Sequence, residues 1–216
     1  MPSGVAPKKI LLIGNSFTAR NNLPGLIVQL VAARGKTFDH RLIAVGGASL
    51  RTHWNAGVAV KAIEEGHYDT VVLQEQSTLP IKNSRRMHEN VRLFDGAITA
   101  AGAKTVLYMT WARQHAPESQ QAITDAYTEI GKELGATVVP VGTAWQTFLR
   151  KHDRPALHDL DQSHPTVAGT YLAACVFVAV LFKENPVGVE DEVAGLEAKD
   201  AVTLQKVAWQ VCKAGR

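Results

Sequence analysis

Five short apolar runs rich in β-branched residues, Lys9 to Ile13, Phe38 to Val45, Thr70 to Leu73, Thr105 to Met109 and Thr137 to Val141, alternate along this chain with stretches of helical periodicity. Strands that alternate with helices favour one arrangement, a parallel sheet whose crossover helices cover both faces. The spacing predicts those helices near Pro24 to Arg34, Ala56 to Glu65, Ser84 to Ala101 and Glu118 to Leu134. Pro24 and Pro117 suit helix starts, and Gly35, Gly66, Gly102 and Gly135 suit helix ends. The expected fold class is therefore α/β, a three-layer α/β/α sandwich around a five-stranded parallel sheet.

The 216 residues suit one well-buried domain spanning 1–216, and no segment reads as a linker. Hydrophobic residues make up 46% and charged residues 20%, too apolar a mixture for a disordered chain. The 23 Lys and Arg against 20 Asp and Glu are scattered, with Lys8-Lys9 and Arg85-Arg86 as adjacent pairs, and aromatics are only 6%. A nucleic-acid partner would need a basic stripe, so none is expected. Tyr171 to Phe182 is strongly apolar but shorter than the roughly 20 residues a membrane helix requires, and reads as a buried helix with no membrane partner. A last amphipathic helix is expected over Leu196 to Lys213, packed on the sheet. Cys175 and Cys212 lie in apolar helical patterns without metal spacing, which suits reduced core thiols. The first strand starts within ten residues with no signal-peptide core before it, so the expected location is cytoplasmic.

In open α/β sheets ligand groups gather beyond the carboxyl ends of the strands, and the first run ends in Gly14-Asn15-Ser16-Phe17. Far along the chain stands Asp161-Gln162-Ser163-His164-Pro165. A serine becomes a useful nucleophile when an imidazole takes its proton, and the imidazole needs a carboxylate to fix its tautomer and stabilise its charged form. Ser16, His164 and Asp161 supply those parts, and because Asp161 and His164 are three residues apart, one turn of loop can pair them. Each motif alone reads as an ordinary turn; their joint placement at the two ends of the α/β pattern carries the signal. A G-x-S-x-G elbow is absent, since Thr18 stands where its second glycine belongs. Pro165 is expected at the first position of a helix, with His164 at its entrance and Gly169 packed closely against a neighbour.

His152, Asp153, His158 and Asp159 surround this motif, and the expectation is a solvated polar loop with no metal site. Arg34-Gly35-Lys36-Thr37 lacks a phosphate-loop glycine, position 30 being Leu30, and no G-x-G-x-x-G follows the first strand. No cofactor is called for.

With these residues, the chain resembles the SGNH hydrolases, also called GDSL-like esterases, from about Lys8 to about Phe182. Their first block, Gly-Asp-Ser, is matched by Gly14-Asn15-Ser16 with Asn in place of Asp, and their last, Asp-x-x-His, by Asp161 and His164. The resemblance implies a flavodoxin-like strand order and catalysis by Ser16, His164 and Asp161. It also implies an oxyanion hole, aligned here on the amide of Ser16 and on Gly47 of Gly46-Gly47-Ala48-Ser49, with Gly46 as the alternate. The family's usual Gly-x-Asn-Asp third block is missing; Leu73-Gln74-Glu75-Gln76-Ser77 stands there. Some branches that act on acetylated sugars carry a Gln-containing motif at this point, and a Gln amide can serve as the third donor. Gln74, at the strand end, is the expected donor and Gln76 the alternate.

The reading is a serine esterase that removes short acyl groups, acetyl foremost, from carbohydrates or similar small polar substrates. Asn15, His53, Trp54, Glu75 and Trp111 are the candidate substrate contacts; core packing is the alternative for the aromatics, and backbone hydrogen bonding for Glu75. Two rivals stand beside it: a lipid acyl-ester or thioester hydrolase of the same architecture, and a catalytically silent glycan-binding module. The oligomeric state is not encoded in any motif. A neutral His164 is required for the base step, and an unperturbed imidazole titrates near about 6.5. Activity is therefore expected to rise from acid to neutral pH, and a rate flat from about pH 5 to 8 would count against His164 as the base.

Overall fold

The computed structural model describes residues 8–189 and 195–214. The apolar runs form strands β1 (Lys8–Gly14), β2 (Phe38–Ala44), β3 (Thr70–Leu73), β4 (Lys104–Tyr108) and β5 (Thr137–Val139). All neighbours are parallel, in the order β2-β1-β3-β4-β5. This is the flavodoxin-like order.

The helices are α1 (Ser16–Ala19), α2 (Leu23–Ala32), α3 (Leu50–Ala56), α4 (Val58–Gly66), α5 (Leu79–Lys82), α6 (Ser84–Ala100), α7 (Gln120–Leu134), α8 (Val141–Leu149), α9 (Val167–Phe177) and α10 (Ala198–Ala214). Side chains alternate across β1, so Ile10 and Leu12 join a core under α2, α8, α9 and α10, while Leu11 and Ile13 join one under α3, α4, α6 and α7. Both sheet faces are thus covered, as parallel sheets require.

Several boundaries depart from the sequence expectation for local reasons. The fifth strand stops at Val139 because the chain turns into a helix there: Pro140 is the cap, Val141 opens α8, and the Gly142 N–H takes the Met109 carbonyl at 3.1 Å; the periodicity did not reveal this helix. The helix expected over Ala56 to Glu65 is α4, which starts at Val58 after Gly57, and a further helix that the periodicity did not reveal, α3, precedes it. The helix expected to open at Pro165 opens instead at Val167, because the Thr166 side chain accepts from the Gly169 N–H and takes the cap. Pro165 belongs to a short bridge with His158. At Gly169 a Cβ would lie 2.5 Å from the Leu157 carbonyl and from the Trp145 ring, the close packing expected there. The apolar segment that follows α9 continues as a wider turn over Val178–Phe182. Cys175 and Cys212 are both buried. No helix among the described residues is long and apolar enough to cross a membrane.

Candidate active site

The chain leaves β1 for one edge of the sheet and returns to the other side of β1 with β3, so a crevice opens beyond the carboxyl ends of these two strands. Gly14-Asn15-Ser16 turns the chain there. The Asn15 side chain accepts from the Phe17 N–H at 3.0 Å and caps α1, while its amide donates to the Ala48 carbonyl at 3.0 Å. Asn15 thus ties the serine turn to the glycine loop of the second block. Gly14 has no room for a side chain, since a Cβ would sit 2.5 Å from Thr18 Oγ1 and 2.6 Å from Gln74 Oε1.

Ser16 is half-buried, and its Oγ lies 2.8 Å from His164 Nε2. His164 Nδ1 faces Asp161 Oδ2 in a short contact, so Nδ1–H donates to the carboxylate and Nε2 is left to accept from the serine hydroxyl. Asp161 Oδ1 accepts from the backbone N–H of Ser163 at 3.0 Å and of His164 at 2.9 Å. The His164 backbone N–H, followed by its ring N–H, holds the Asp161 carboxyl well below the usual carboxylate range. A depressed carboxylate contributes stability above its unfolded pKa, which is lost as pH falls toward its folded value. Asp161 is largely exposed, so this contribution is small.

The histidine loop is anchored from several sides. Trp111 Nε1 donates to the Ser163 carbonyl at 3.0 Å, His158 Nε2 pairs with the Ala112 carbonyl at 2.9 Å, and Arg20 from the serine side meets Asp159 at 2.8 Å. Burial holds His158 neutral by pushing its pKa down. Phe17 stacks on Trp111 at 4.8 Å and meets the His164 ring edge-on at 5.3 Å.

Ser16 and His164 open into a pocket of about 330 Å³, which Gly46, Gly47 and Gln76 also line. Gly47 has φ +69°, a left-handed conformation natural to glycine. Among the described residues the backbone N–H groups of Ser16 and Gly47 find no acceptor. Gln76 Oε1 accepts from Thr78 N at 2.9 Å and Leu79 N at 3.1 Å, which fixes the amide and leaves its NH2 without an acceptor among the described residues.

Gln74, the donor expected from sequence, is elsewhere. It is fully buried, its Oε1 accepts from Asn15 N and Thr18 Oγ1 at 2.9 Å each, and its NH2 donates to the Glu75 carbonyl at 2.5 Å. A side chain at the very end of β3 lies under the serine turn, whereas Gln76, two residues on, reaches the pocket lip.

Four further expectations need the same correction. His53 is buried, with Nε2 on the Gly14 carbonyl at 2.7 Å, so it braces the end of β1. Trp54 packs edge-on against Phe94 at 5.3 Å on the α3 side of the core. Glu75 is fully buried and accepts from Leu50 N at 2.9 Å, Gln76 N at 2.7 Å and Asn90 Nδ2 at 2.8 Å, so it bonds the backbone rather than substrate. Burial raises its pKa, against the opposing pull of those three donors. Trp111 is buried between Phe17 and Trp145, stacked 3.9 Å from the latter. It walls an adjoining, largely apolar cavity of about 440 Å³.

The sequence reading missed Arg113 and Ser163, which line the serine pocket. Arg113 follows closely on β4, and the rule that ligand groups gather beyond strand ends points to that position. Among the described residues no three His, Cys, Asp or Glu side chains gather as metal ligands would.

No protein-family model matches the sequence, and no curated protein matches it. Solved structures do. A protein from Slackia heliotrinireducens assigned to the SGNH hydrolases superposes with a TM-score of 0.71 and 26% identity, over 81% of this chain and 99% of that one. The fold is that of the SGNH hydrolases. A DUF4886 family protein from Bacteroides uniformis shares it at a TM-score of 0.78 and 19% identity, over 97% of this chain and 96% of its own. An acetyl xylan esterase from Geobacillus stearothermophilus shares the SGNH fold at 0.59 and 17% identity, over 87% and 97%.

Proposed function

We propose that this protein is a serine esterase that hydrolyses short-chain O-esters, acetyl esters foremost, of carbohydrates or similar small polar alcohols. The observation that carries the reading is the continuous contact from Ser16 Oγ to His164 Nε2, at 2.8 Å, and from His164 Nδ1 to Asp161. Ser16 Oγ attacks the ester carbonyl as His164 takes its proton, and the tetrahedral oxyanion receives the N–H groups of Ser16 and Gly47 and the Gln76 amide. Collapse expels the alcohol with the proton from His164, leaving an acyl-serine. Water, activated by the same imidazole, then releases the acid and restores Ser16. Asp161 keeps the ring in the productive tautomer and stabilises its charged form. No cofactor enters these steps. The small size of the pocket at Ser16 and the acetyl xylan esterase of the same fold both support a short acyl group.

The direct test is intact-mass labelling with a fluorophosphonate, comparing the native chain with Ser16→Ala. The native chain is expected to gain one phosphonyl adduct and the variant none; an unlabelled native chain would favour a silent binding module. Gln76→Ala is expected to lower kcat by about 10²- to 10³-fold with KM little changed, the loss of one oxyanion donor. Gln74→Ala should act mainly on thermal stability, because the Gln74 amide is consumed inside the fold. If the two variants exchange these effects, the third donor is Gln74.

One observation favours a second reading, a lipid acyl-ester or thioester hydrolase. The apolar cavity beside Trp111 and Trp145 shares Arg113 with the serine pocket and has room for a longer chain. Phenyl esters from acetate to decanoate separate the two. The short-acyl reading expects kcat/KM to fall beyond butyrate, and a maximum at eight carbons or more would overturn it.

A further inference from the structure

Beyond Gln76 the serine pocket adjoins a second space. Gln76 also lines a cavity of about 410 Å³ whose walls include Thr52, Asn55, Arg51 and Arg86. That cavity shares Arg51, Asn55 and Arg86 with a further one of about 580 Å³ that adds Arg85. The groove presents amides, the hydroxyls of Ser49 and Thr52, which pair at 3.0 Å, and three guanidinium groups. Against these stand Glu89 at the surface, 3.4 Å from Arg85, and Glu75 buried below.

Arg51 is held from beneath. Its Nε donates to Asn90 Oδ1 at 2.9 Å, and Asn90 Nδ2 donates in turn to Glu75 Oε2 at 2.8 Å. Asn90 and Glu75 are 1% and 0% exposed. The same carboxylate accepts from the Gln76 N–H at 2.7 Å, so one buried group sets both the pocket lip and the arginine beyond it. The other guanidinium nitrogens of Arg51, and the whole Arg86 guanidinium, have no acceptor among the described residues. An ordinary solvated basic face does not need this support, because burying a carboxylate is costly unless it is paired and hydrogen-bonded.

We propose that this groove binds an anionic group, a carboxylate or a phosphate, on the alcohol part of the ester, with Arg51 as the specificity-determining residue and Arg86 as its outer partner. This rests on the short-chain esterase reading: with a short acyl group, only the alcohol part can run from Ser16 into the groove. A guanidinium fork pairs with a planar carboxylate or with phosphate through two parallel hydrogen bonds, and Thr52 and Asn55 suit the hydroxyls of a sugar.

The test compares kcat/KM for O-acetylated glucuronic acid, an O-acetylated hexose phosphate and O-acetylated glucose. At least one anionic ester is expected to exceed the neutral one by about tenfold, mainly through KM, with the advantage shrinking as salt is added. Which anion leads distinguishes carboxylate from phosphate recognition. Arg51→Gln should bring the anionic-to-neutral ratio close to one, Arg51→Lys should restore part of it, and Arg86→Gln should lower it less. Arg86 is exposed and outside the core, so that variant remains informative if Arg51→Gln folds poorly. A ratio near one in the native protein, or one unchanged in both glutamine variants, overturns the proposal. Calorimetric binding of glucuronic acid and hexose phosphate to Ser16→Ala reads the groove without turnover. Anion binding there without hydrolysis of any ester, phenyl acetate included, would sink the esterase reading and leave the groove as an anion site; hydrolysis without anion preference would sink the groove alone.

Discussion

Ser16→Ala is expected to lower kcat for a short-chain ester by about 10⁴- to 10⁶-fold, with KM and thermal stability nearly unchanged. The Ser16 hydroxyl makes one side-chain hydrogen bond, to His164 Nε2, and no packing in the core depends on it. The turn that presents it is held by other groups: the Asn15 cap on Phe17 N, the Asn15 amide on Ala48, and Gln74 beneath. The variant therefore keeps the pocket and the proposed oxyanion donors and loses only the proposed nucleophile. The residual rate is what those donors give to attack by water. Steady-state kinetics on acetyl and butyryl esters, with melting curves for both proteins, check this. A variant that keeps more than about a hundredth of native kcat would place the nucleophile elsewhere.

Asp161→Asn is expected to lower kcat by about 10⁴-fold while the fold stays intact. Asn can still accept from the Ser163 and His164 N–H groups through its carbonyl oxygen, so the loop has little reason to move. Its NH2 would then face His164 Nδ1. A donor there requires Nδ1 to accept, which puts the ring proton on Nε2 and points it at Ser16 Oγ, the tautomer that cannot take the serine proton. The variant also loses the charge that stabilises the imidazolium. Recovery at alkaline pH, where the serine can be deprotonated by other means, would accompany this mechanism. A fall of less than about tenfold would show that Asp161 only shapes the loop. The native Asp161 carboxyl is held well below the usual carboxylate range, so it stays ionised through the acid limb of the activity profile, and that limb belongs to another group.

Much of this protein was readable in one dimension. The alternating runs from Lys9 to Val141 specify a parallel sheet because only buried strands are apolar on both faces, as Leu11 and Leu12 of β1 are, on opposite cores. Ser16 was legible because it comes just after the first strand, and Asp161 with His164 because three residues of loop suffice to pair them. The strand order came from resemblance, since periodicity does not record which strands are neighbours.

The errors share one cause. His53, Trp54, Glu75 and Trp111 follow the right strands, yet each turns inward to serve a partner from a distant segment: the Gly14 carbonyl, Phe94, the Leu50 N–H and Ser163. Gln74 and Gln76 differ by two positions, and only the fold consigns the first to the interior beneath Asn15 and Thr18 and brings the second to the lip. Sequence determined the layers, the placing of the strands and the local Asp161–His164 pair, because these depend on patterns and spacings a few residues long. Tertiary structure alone decided that the Ser16 hydroxyl meets an imidazole 148 residues away and that a buried Glu75 reaches Arg51 through Asn90. Buried polar groups must find partners wherever the packed chain brings them, and those partners leave no local trace.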